Sequence, residues 1–412
     1  MCLERSQPVT LEVTVDAREE GWPHPRCTCS RDTRARLVPN ESNPCEWHFQ
    51  FESLAEAEHW KRIHKLNIHF DGVYWLANQG QRKLLTLGSC RFFTLSFPHL
   101  TNLKWEEEDT EHGNYIFCVP PFPPTLRFLS FRGSWDGSVT RVNNLVSFTF
   151  ENHYEDKINV ETLRLFISNN RSLESLSLKW ADFEGTSRGP PVSLFKLKSF
   201  SIDFHAKVLS TIIRIPALQR LFSIRISRDE HEEEFTLRAT GDGITLSTKS
   251  DLSNIAEVWQ DLTGYVRPTI RHIRLYDDWD NGEHHQGGDG ITVASLLTDV
   301  YTLEIGKNYW ASWYNGFMAD LKDLGPELKT IRFEISDEHE PFQGRGDEYY
   351  DEGGELLDQI EELVKHRFEQ GRPFSAVERL VVGGSERINR QQDYVWRCFY
   401  GSRKLGRYVV PV

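Results

Sequence analysis

The chain lacks the features that mark several large classes of protein. Among its 412 residues no apolar run approaches the roughly 18 residues of a membrane-spanning helix, and the N-terminus has no apolar stretch typical of a signal peptide. Lys and Arg total 48 against 61 Asp and Glu, which gives a net charge of −13. This shortage of positive charge argues against nucleic acid as the main partner. We therefore expect an intracellular protein, cytoplasmic or nuclear, that binds no membrane.

Cysteine is also scarce, because only seven are present, an odd and scattered number that fits a reducing compartment. Three of them lie near the N-terminus, where Cys27, Cys29, Cys45 and His48 form a candidate zinc site. A single residue separates the first two cysteines, whereas zinc sites usually have two to four. The alternative is a loop with reduced thiols, and we expect no cofactor.

The motifs of common catalytic sites are missing as well. The sequence contains no Gly-x-Ser-x-Gly elbow, no Gly-x-x-x-x-Gly-Lys phosphate loop, no His-Glu-x-x-His and no Gly-x-Gly-x-x-Gly. Each of these patterns places a nucleophile, a phosphate cradle or a metal at a defined turn. We therefore expect a protein that is not an enzyme.

A short apolar phrase, apolar-x-x-apolar-x-apolar, instead recurs along most of the chain. A repeated phrase at intervals of roughly 20–50 residues indicates stacked units that each need a neighbour to cover their apolar face. Its occurrences are Ile63/Leu66/Ile68, Leu100/Leu103/Trp105, Leu126/Leu129/Phe131, Leu145/Phe148/Phe150, Leu173/Leu176/Leu178, Leu197/Phe200/Ile202, Leu221/Ile224/Ile226, Ile270/Ile273/Leu275, Val300/Leu303/Ile305, Leu328/Ile331/Phe333 and Val377/Leu380/Val382.

The phrase resembles the leucine-rich repeat, in an irregular version without the asparagine ladder of the regular families. It predicts an α/β fold, an irregular leucine-rich-repeat-like solenoid with a curved parallel sheet inside and helices and turns outside. Alternating residues around Gly-Asp-Gly at 241–243 predict a β-hairpin insertion over 235–248. A second insertion, 336–370, holds an acidic loop followed by a helix from about 354 to 370.

Three regions follow from this pattern. Residues 1–62 hold a strand at 11–15, a cysteine-containing loop and a short helix at 53–62, residues 63–388 form the solenoid, and residues 389–412 form a capping helix, about 391–400, and a tail. Helical periodicity also predicts helices within the solenoid, in connections between the strands. They are expected at 160–168, 251–265, 291–298 and 313–324.

The phrase also predicts which side chains form the concave face. Alternate residues of a strand face opposite sides, so the neighbours of each middle apolar residue point away from the core. The candidate residues for binding a partner are Ser175, Ser177, Ser199, Ser201, Arg225, His272, Arg274, Arg332 and Arg379. Small hydroxyl side chains leave room for an incoming chain, and Arg can bind a carboxylate or phosphate with two hydrogen bonds.

Two features of this face have competing interpretations. Arg274, Glu304 and Arg332 fall on successive strands and could satisfy one another as an ion-pair ladder, or the arginines could hold an acidic or phosphorylated segment. Acidic segments at 106–109, 277–280 and 337–355 follow strands and are expected to line one rim. They are either solvated turns or a negative rim that steers a basic partner.

The C-terminal part carries a more specific resemblance. The segments 372–382, RPFSAVERLVV, and 388–393, INRQQD, resemble the tail of mushroom-type fungal F-box proteins. The start of the chain, 3–6 leading into 11–15, is similar to the segment that follows the F-box in that family. The F-box itself is not in this sequence, and the resemblance covers the repeat region.

The resemblance implies substrate recognition for a cullin-type (SCF) ubiquitin ligase, and hence a role in ubiquitin-dependent degradation. A protein target on the concave face is the expected partner, and the ligase adaptor is a partner only if an F-box lies upstream. The alternative is a repeat-only scaffold or sensor with no link to ubiquitin.

Overall fold

Parallel β-strands and a few helices make up this α/β fold. The structure, a computed structural model, describes residues 10–17, 59–71, 97–108, 122–133, 135, 139–152, 157–203, 209–228, 235–250, 252–264, 266, 268–277, 300–305, 327–336, 352–382 and 396–398. The chain divides into two compact units, Met1–Pro216 and Ala217–Val412. In the described part of each unit, most neighbouring strands of the main sheet are parallel.

The first unit is built on seven parallel strands in the order β1-β2-β3-β4-β5-β7-β10. Four shorter strands pair separately as β6 with β8 and β9 with β11. The described strands are Leu11–Ala17 (β1), Ile63–Asp71 (β2), Asn102–Glu108 (β3), Phe128–Gly133 (β4), Ser147–Asn152 (β5), Lys157–Asn159 (β6), Ser175–Lys179 (β7), Asp182–Glu184 (β8), Val192–Ser193 (β9), Ser199–Asp203 (β10) and Ile213–Arg214 (β11).

The apolar phrase sets the register of this sheet. Its middle residues pair across neighbouring strands, and each is at most 5% exposed. These residues are Leu66, Leu103, Leu129, Phe148, Leu176 and Phe200. A slip of one residue would turn this apolar row toward water, so the phrase holds the strands in register.

Helix α1, Val160–Asn169, packs on the apolar side of this sheet. Its N-cap is Asn159, whose side-chain oxygen accepts from the N–H groups of residues 161 and 162 at 3.1 and 3.2 Å. Phe166 of the helix is buried, and its ring centroid lies 4.5 Å from that of Phe148. A single-turn helix, α2, spans Leu209–Ile212, and 3-10 turns span His59–Arg62, Val139–Arg141 and Pro216–Arg220.

A network of charge-assisted hydrogen bonds connects the loop before β9 to the first turn of α1. Glu161 accepts hydrogen bonds from Arg164 Nε and Nη2 at 2.9 and 2.6 Å. It also accepts from the main-chain N–H of Arg188 at 3.0 Å and from Ser187 Oγ at 3.3 Å. The Arg164 guanidinium, followed by these two donors, lowers the pKa of Glu161 to about 2.

We expect Glu161→Gln to lower the midpoint of thermal unfolding at pH 7 and to have no effect near pH 2. Because the folded pKa of about 2 lies below the usual value of 4.5, the carboxylate stabilises the fold above about pH 4.5. That contribution disappears as the pH falls through the folded value. Thermal melts from pH 2 to 7 measure it, with the exposed Glu184→Gln as the control. A difference from the parent chain that persists unchanged at pH 2 would contradict the assignment.

A buried asparagine connects the end of α1 to the segment that leads into β5. Asn170 is 0% exposed, and its side-chain oxygen accepts from the main-chain N–H of Leu145 at 2.9 Å. Its amide nitrogen donates to the carbonyl oxygens of Val142 and Phe166 at 2.9 and 2.8 Å. One side chain thus satisfies three main-chain groups that come from two turns and a helix end.

The second unit orders its strands β14-β13-β12-β15-β16-β17-β18-β19. Strands β12, β15, β16, β17 and β18 are parallel, and β13, β14 and β19 run antiparallel to their neighbours. The described strands are Leu221–Arg228 (β12), Phe235–Gly241 (β13), Ile244–Ser250 (β14), His272–Asp277 (β15), Thr302–Ile305 (β16), Thr330–Ser336 (β17), Ala376–Val382 (β18) and Trp396–Cys398 (β19).

The predicted hairpin insertion is present as β13 and β14. Its turn at Asp242-Gly243 needs glycine, because Gly243 has φ of 68°, in the left-handed region. Position 241 also requires glycine, for a steric reason, since a Cβ on Gly241 would come within 2.1 Å of the Arg220 carbonyl oxygen. The hairpin extends the sheet of its unit, because β13 pairs with β12 along seven residue pairs.

The described part of the second unit contains two longer helices, α3 at Leu252–Thr263 and α4 at Glu352–Glu369. On α4, Leu363 and Val364 are buried, and so is Arg367 at 0% exposure. The Arg367 guanidinium donates to the Leu328 carbonyl oxygen at 3.2 Å and lies 5.0 Å from the Phe374 ring centroid. Burial lowers the pKa of Arg367. No helix in the described ranges is long and apolar enough to cross a membrane.

The predicted helices at 160–168, 251–265 and 354–370 are confirmed. Those at 291–298 and 313–324 lie outside the described residues, and of the helix at 53–62 the structure describes only the 3-10 turn from 59 to 62. The array of helices outside a curved sheet is not confirmed, because the described connections hold only a few helices. The capping helix at 391–400 is wrong for residues 396–398, which form β19 and pair with β18.

Candidate functional site

Seven hydroxyl side chains form a surface on one face of the first unit, which we call the hydroxyl floor. They occupy two adjacent rows of the register across β4, β5, β7 and β10. Six are half-buried, and Ser199 is exposed. The members are Ser130, Ser147, Thr149, Ser175, Ser177, Ser199 and Ser201. The four predicted serines therefore lie together, with Ser175 opposite Ser199 and Ser177 opposite Ser201.

The local sequence explains why the floor points away from the core. Each member is next to a middle apolar residue, as Ser175 and Ser177 are to Leu176, which is 0% exposed. Strand alternation then turns the hydroxyls to the opposite face. Within the described part of the chain none of the seven side-chain hydroxyls forms a hydrogen bond. With neighbouring strands about 4.8 Å apart, the floor is about 15 Å wide and can contact four or five residues of an extended segment.

A row of side chains with alternating charge runs beside the floor. It lies one position beyond the last apolar residue of each phrase, in register across five strands. We call it the charge row, and its members are His69, Glu106, Arg132, Glu151 and Lys179. His69 Nδ1 lies 2.5 Å from Glu106 Oε2, and Glu151 contacts Arg132 Nε at 3.2 Å and Lys179 Nζ at 3.4 Å.

Glu106 contacts two basic side chains, His69 of the row and Lys104 of its own strand. Partial burial by itself would raise its pKa, but the hydrogen bond and charge of Lys104, followed by those of His69, lower the pKa overall. Lys104 Nζ is 2.6 Å from Glu106 Oε1. The expected acidic rim at 106–109 is therefore wrong for Glu106, which lies within β3 and is paired rather than solvated in a turn. Because the row pairs its own charges, it presents little net charge to a partner.

An exposed aromatic ring borders the hydroxyl floor at β4. Phe128 is 44% exposed and lies in register between Asn102 and Ser147. Aromatic rings are enriched in binding interfaces because they bury a large area with few rotatable bonds. Phe128 thus adds an apolar contact to a surface that otherwise offers hydroxyl donors and acceptors.

In the second unit, the predicted arginines also lie in one row. Arg225, Arg274 and Arg332 take successive places in the register, with Glu304 between the last two. The hairpin adds Arg238, which pairs with Arg225. Arg225 and Arg238 are exposed, and Arg274 is half-buried.

Glu304 contacts two of the residues predicted to bind a partner. Only 5% exposed, it places Oε1 2.8 Å from Arg274 Nε and Oε2 3.4 Å from His272 Nε2. This geometry favours the ion-pair ladder over an acidic ligand at Arg274 and His272. A buried carboxylate needs such partners, because its desolvation would otherwise cost several kcal/mol, about 3–5 when one partner of a buried pair is removed.

The predicted position of Arg379 is wrong. The register pairs Arg332 with Glu378, and Arg379 with Phe333. The reason is that Phe374 and Val377, 0% and 4% exposed, fill the apolar positions that we assigned to Val377 and Leu380. The phrase is displaced by three residues in this strand.

The zinc candidate, Cys27, Cys29, Cys45 and His48, lies outside the described residues. In the ranges that the structure does describe, no group of three or more His, Cys, Asp or Glu side chains could hold a metal ion.

The sequence reasoning did not identify the charge row or Arg238. A signal for the first was present, because the residue after each phrase alternates in charge from Glu106 through Arg132 and Glu151 to Lys179. Arg238 had no such signal, since it becomes a neighbour of Arg225 only through the hairpin.

Comparison with known proteins gave no relative: no family model, no curated protein and no solved structure matches the chain.

Proposed function

We propose that this chain is a protein-binding module, and that the hydroxyl floor receives an extended segment of a protein target. One observation carries the proposal: seven half-buried or exposed hydroxyls share a face with no hydrogen bond among the described residues. Hydroxyls both donate and accept, so they can match the main chain of an incoming segment. The segment is expected to carry little charge, because the charge row beside the floor is already paired.

The finer architecture is part of the same proposal. The in-register phrases support an irregular leucine-rich-repeat-like solenoid, whose concave side would hold the floor. By its resemblance to mushroom-type fungal F-box proteins, the module would select substrates for a cullin-type ubiquitin ligase in the cytoplasm or nucleus. A repeat-only scaffold or sensor is the second candidate, and a function in binding rather than catalysis is common to both.

The test uses affinity capture with the full chain and a variant whose floor is blocked. Ser177→Trp with Ser201→Trp places two indoles on neighbouring strands, where they would fill the space for a segment. The matched control is Asn143→Trp with Arg171→Trp, at two exposed positions outside the strands. We expect captured proteins to fall about tenfold with the blocked floor and to stay within twofold with the control. A captured set that the blocked floor leaves unchanged would refute the proposal.

The same capture separates the two roles. A chain extended by its natural upstream sequence should retain a cullin adaptor if that sequence supplies an F-box. Targets that depend on the floor, captured without any adaptor, would instead support the scaffold or sensor.

A further inference from the structure

Four residues of the second unit form a second surface, which we call the aromatic-basic rim. They stand at the entrances of β12, β15, β16 and β17, each directly after a buried apolar residue. The rim consists of Phe222, Arg271, Tyr301 and Lys329. Main-chain hydrogen bonds hold them in sequence, from Arg271 N to Phe222 O at 2.9 Å, from Tyr301 N to Arg271 O at 2.9 Å, and from Lys329 N to Tyr301 O at 3.0 Å.

The rim alternates an aromatic ring with a cation. Phe222 and Tyr301 are 47% and 46% exposed, large values for rings of this size. Arg271 is exposed and Lys329 is half-buried. Neither cation forms an ion pair with an acidic side chain of the described residues, Glu327 included, although the chain as a whole has a net charge of −13.

In the equivalent rim of the first unit, the charged side chains are paired or hydrogen-bonded within the unit. There Glu174 and Lys198 follow one another in the same main-chain pattern, and Lys198 Nζ lies 2.6 Å from Glu174 Oε2. The hydrogen bond and charge of Lys198 lower the pKa of Glu174. Arg127 of that rim donates to main-chain carbonyl oxygens of residues 124, 126 and 144. Among the described residues, the same structural position thus pairs its charges in one unit and forms no ion pair in the other.

We propose that the aromatic-basic rim binds an acidic, extended peptide segment of a partner protein. Two cations that have no acidic partner among the described residues attract carboxylates, and arginine can bind one with two parallel hydrogen bonds. The rings supply apolar contact of the kind that dominates peptide interfaces. The exposed Arg238 of the same unit adds positive charge. A long polyanion such as nucleic acid is disfavoured, because it would also meet the negative charge of the rest of the surface.

The geometry also predicts the spacing of the acidic residues. Arg271 and Lys329 are two strands apart, and hence about 10 Å. In a polyproline-like segment, which has three residues per turn and rises about 3.1 Å per residue, carboxylates three residues apart lie on the same side and span about that distance. The preferred sequence therefore repeats an acidic residue at every third position.

Fluorescence anisotropy with two labelled peptides of identical composition tests the inference. One 12-residue peptide carries Asp at positions 1, 4, 7 and 10 among Ala, Ser and Leu, and the other carries the same Asp residues paired at its two ends. At about 50 mM salt we expect the first peptide to bind the full chain about tenfold more tightly, an advantage that fades as salt screens the charges. Equal affinities for the two peptides, or no binding of either, would overturn the proposal.

Charge reversal locates the site. Arg271→Glu with Lys329→Glu should weaken the spaced peptide at least tenfold. Arg171→Glu with Lys196→Glu makes the same change in net charge at exposed positions of the first unit and should alter affinity less than twofold. If the first pair fails to fold, Arg271→Gln with Lys329→Gln replaces it. Equal losses in both pairs would show an effect of net charge alone and refute the site.

Two further measurements test whether the aromatic rings contribute to binding and whether the ligand group is a carboxylate or a phosphate. Phe222→Ala with Tyr301→Ala should weaken the spaced peptide several-fold at a salt concentration where the charge term is screened, and unchanged binding would remove the rings from the site. A phosphoserine version that binds more than tenfold tighter than the Asp peptide would replace the carboxylate ligand by a phosphate. The Trp-blocked hydroxyl floor should leave peptide affinity unchanged, so this inference and the proposed function fail separately.

Discussion

Leu176→Asp is expected to lower the free energy of unfolding of the first unit by about 4–5 kcal/mol or more. Leu176 is 0% exposed and pairs with Phe148 and Phe200 on the neighbouring strands. An aspartate there loses the apolar contact and buries a carboxylate without a partner. Effects of this size come only from a few causes, of which a buried unpaired charge is one. Urea unfolding followed by circular dichroism measures it.

The matched control for this prediction is the same substitution one residue further on. Ser177→Asp introduces an identical side chain on the same strand, but on the half-buried hydroxyl floor. We expect a change below about 1 kcal/mol, because the carboxylate stays in contact with water. Similar losses for the two variants would show that the alternation of faces in β7 is wrong, and with it the floor.

Asn170→Leu should be nearly as damaging, although it replaces a polar residue by an apolar one in a buried site. The change keeps the branched shape and the number of side-chain heavy atoms but removes the partners of the Leu145 N–H and of the carbonyl oxygens of Val142 and Phe166. Each orphaned group costs about 1–3 kcal/mol, so we expect a loss of about 3–5 kcal/mol. In a unit of this size, that corresponds to a fall in the melting temperature of about 10 °C.

Asn170→Asp separates the hydrogen bonds from simple packing. The carboxylate can still accept from Leu145 N–H, but it faces two carbonyl oxygens to which it cannot donate unless protonated. Its folded pKa is therefore expected to rise above the unfolded value of about 3.9. The variant should approach wild-type stability below that pH and lose stability as the pH rises. The exposed Arg171→Leu, the next residue along, should behave like wild type, and a stable Asn170→Leu would contradict the bridging role.

The elements that the sequence predicted well are those that depend on local patterns. The hairpin around Gly243 follows from alternation and a turn residue, and α1, α3 and α4 follow from apolar spacing at helical period. The last phrase shows the limit of this approach. Val377/Leu380/Val382 and Phe374/Val377/Arg379 both start with an apolar pair three residues apart, and only pairing with β17 selects the second.

The candidate sites also divide into features that follow from local sequence and features that depend on pairing between strands. The hydroxyl floor could be predicted from individual strands, because the orientation of each serine follows from the apolar residue next to it in the same strand. The partners of Glu304 could not, since His272 and Arg274 lie about thirty residues earlier and meet it only through the register of β15 with β16. The arrangement of the aromatic-basic rim likewise requires four strand entrances to align.

By itself the sequence determined, for most strands, which side chains are buried and which lie on the opposite face, because alternation and apolar spacing are properties of each strand alone. The tertiary structure decided which charges neutralise one another. Glu151 meets Arg132 and Lys179, and Lys198 meets Glu174, whereas Arg271 and Lys329 form no ion pair in the described part of the second unit. The reason is distance along the chain: residues of neighbouring strands here are separated by tens of positions, and their contact depends on how the intervening connections fold.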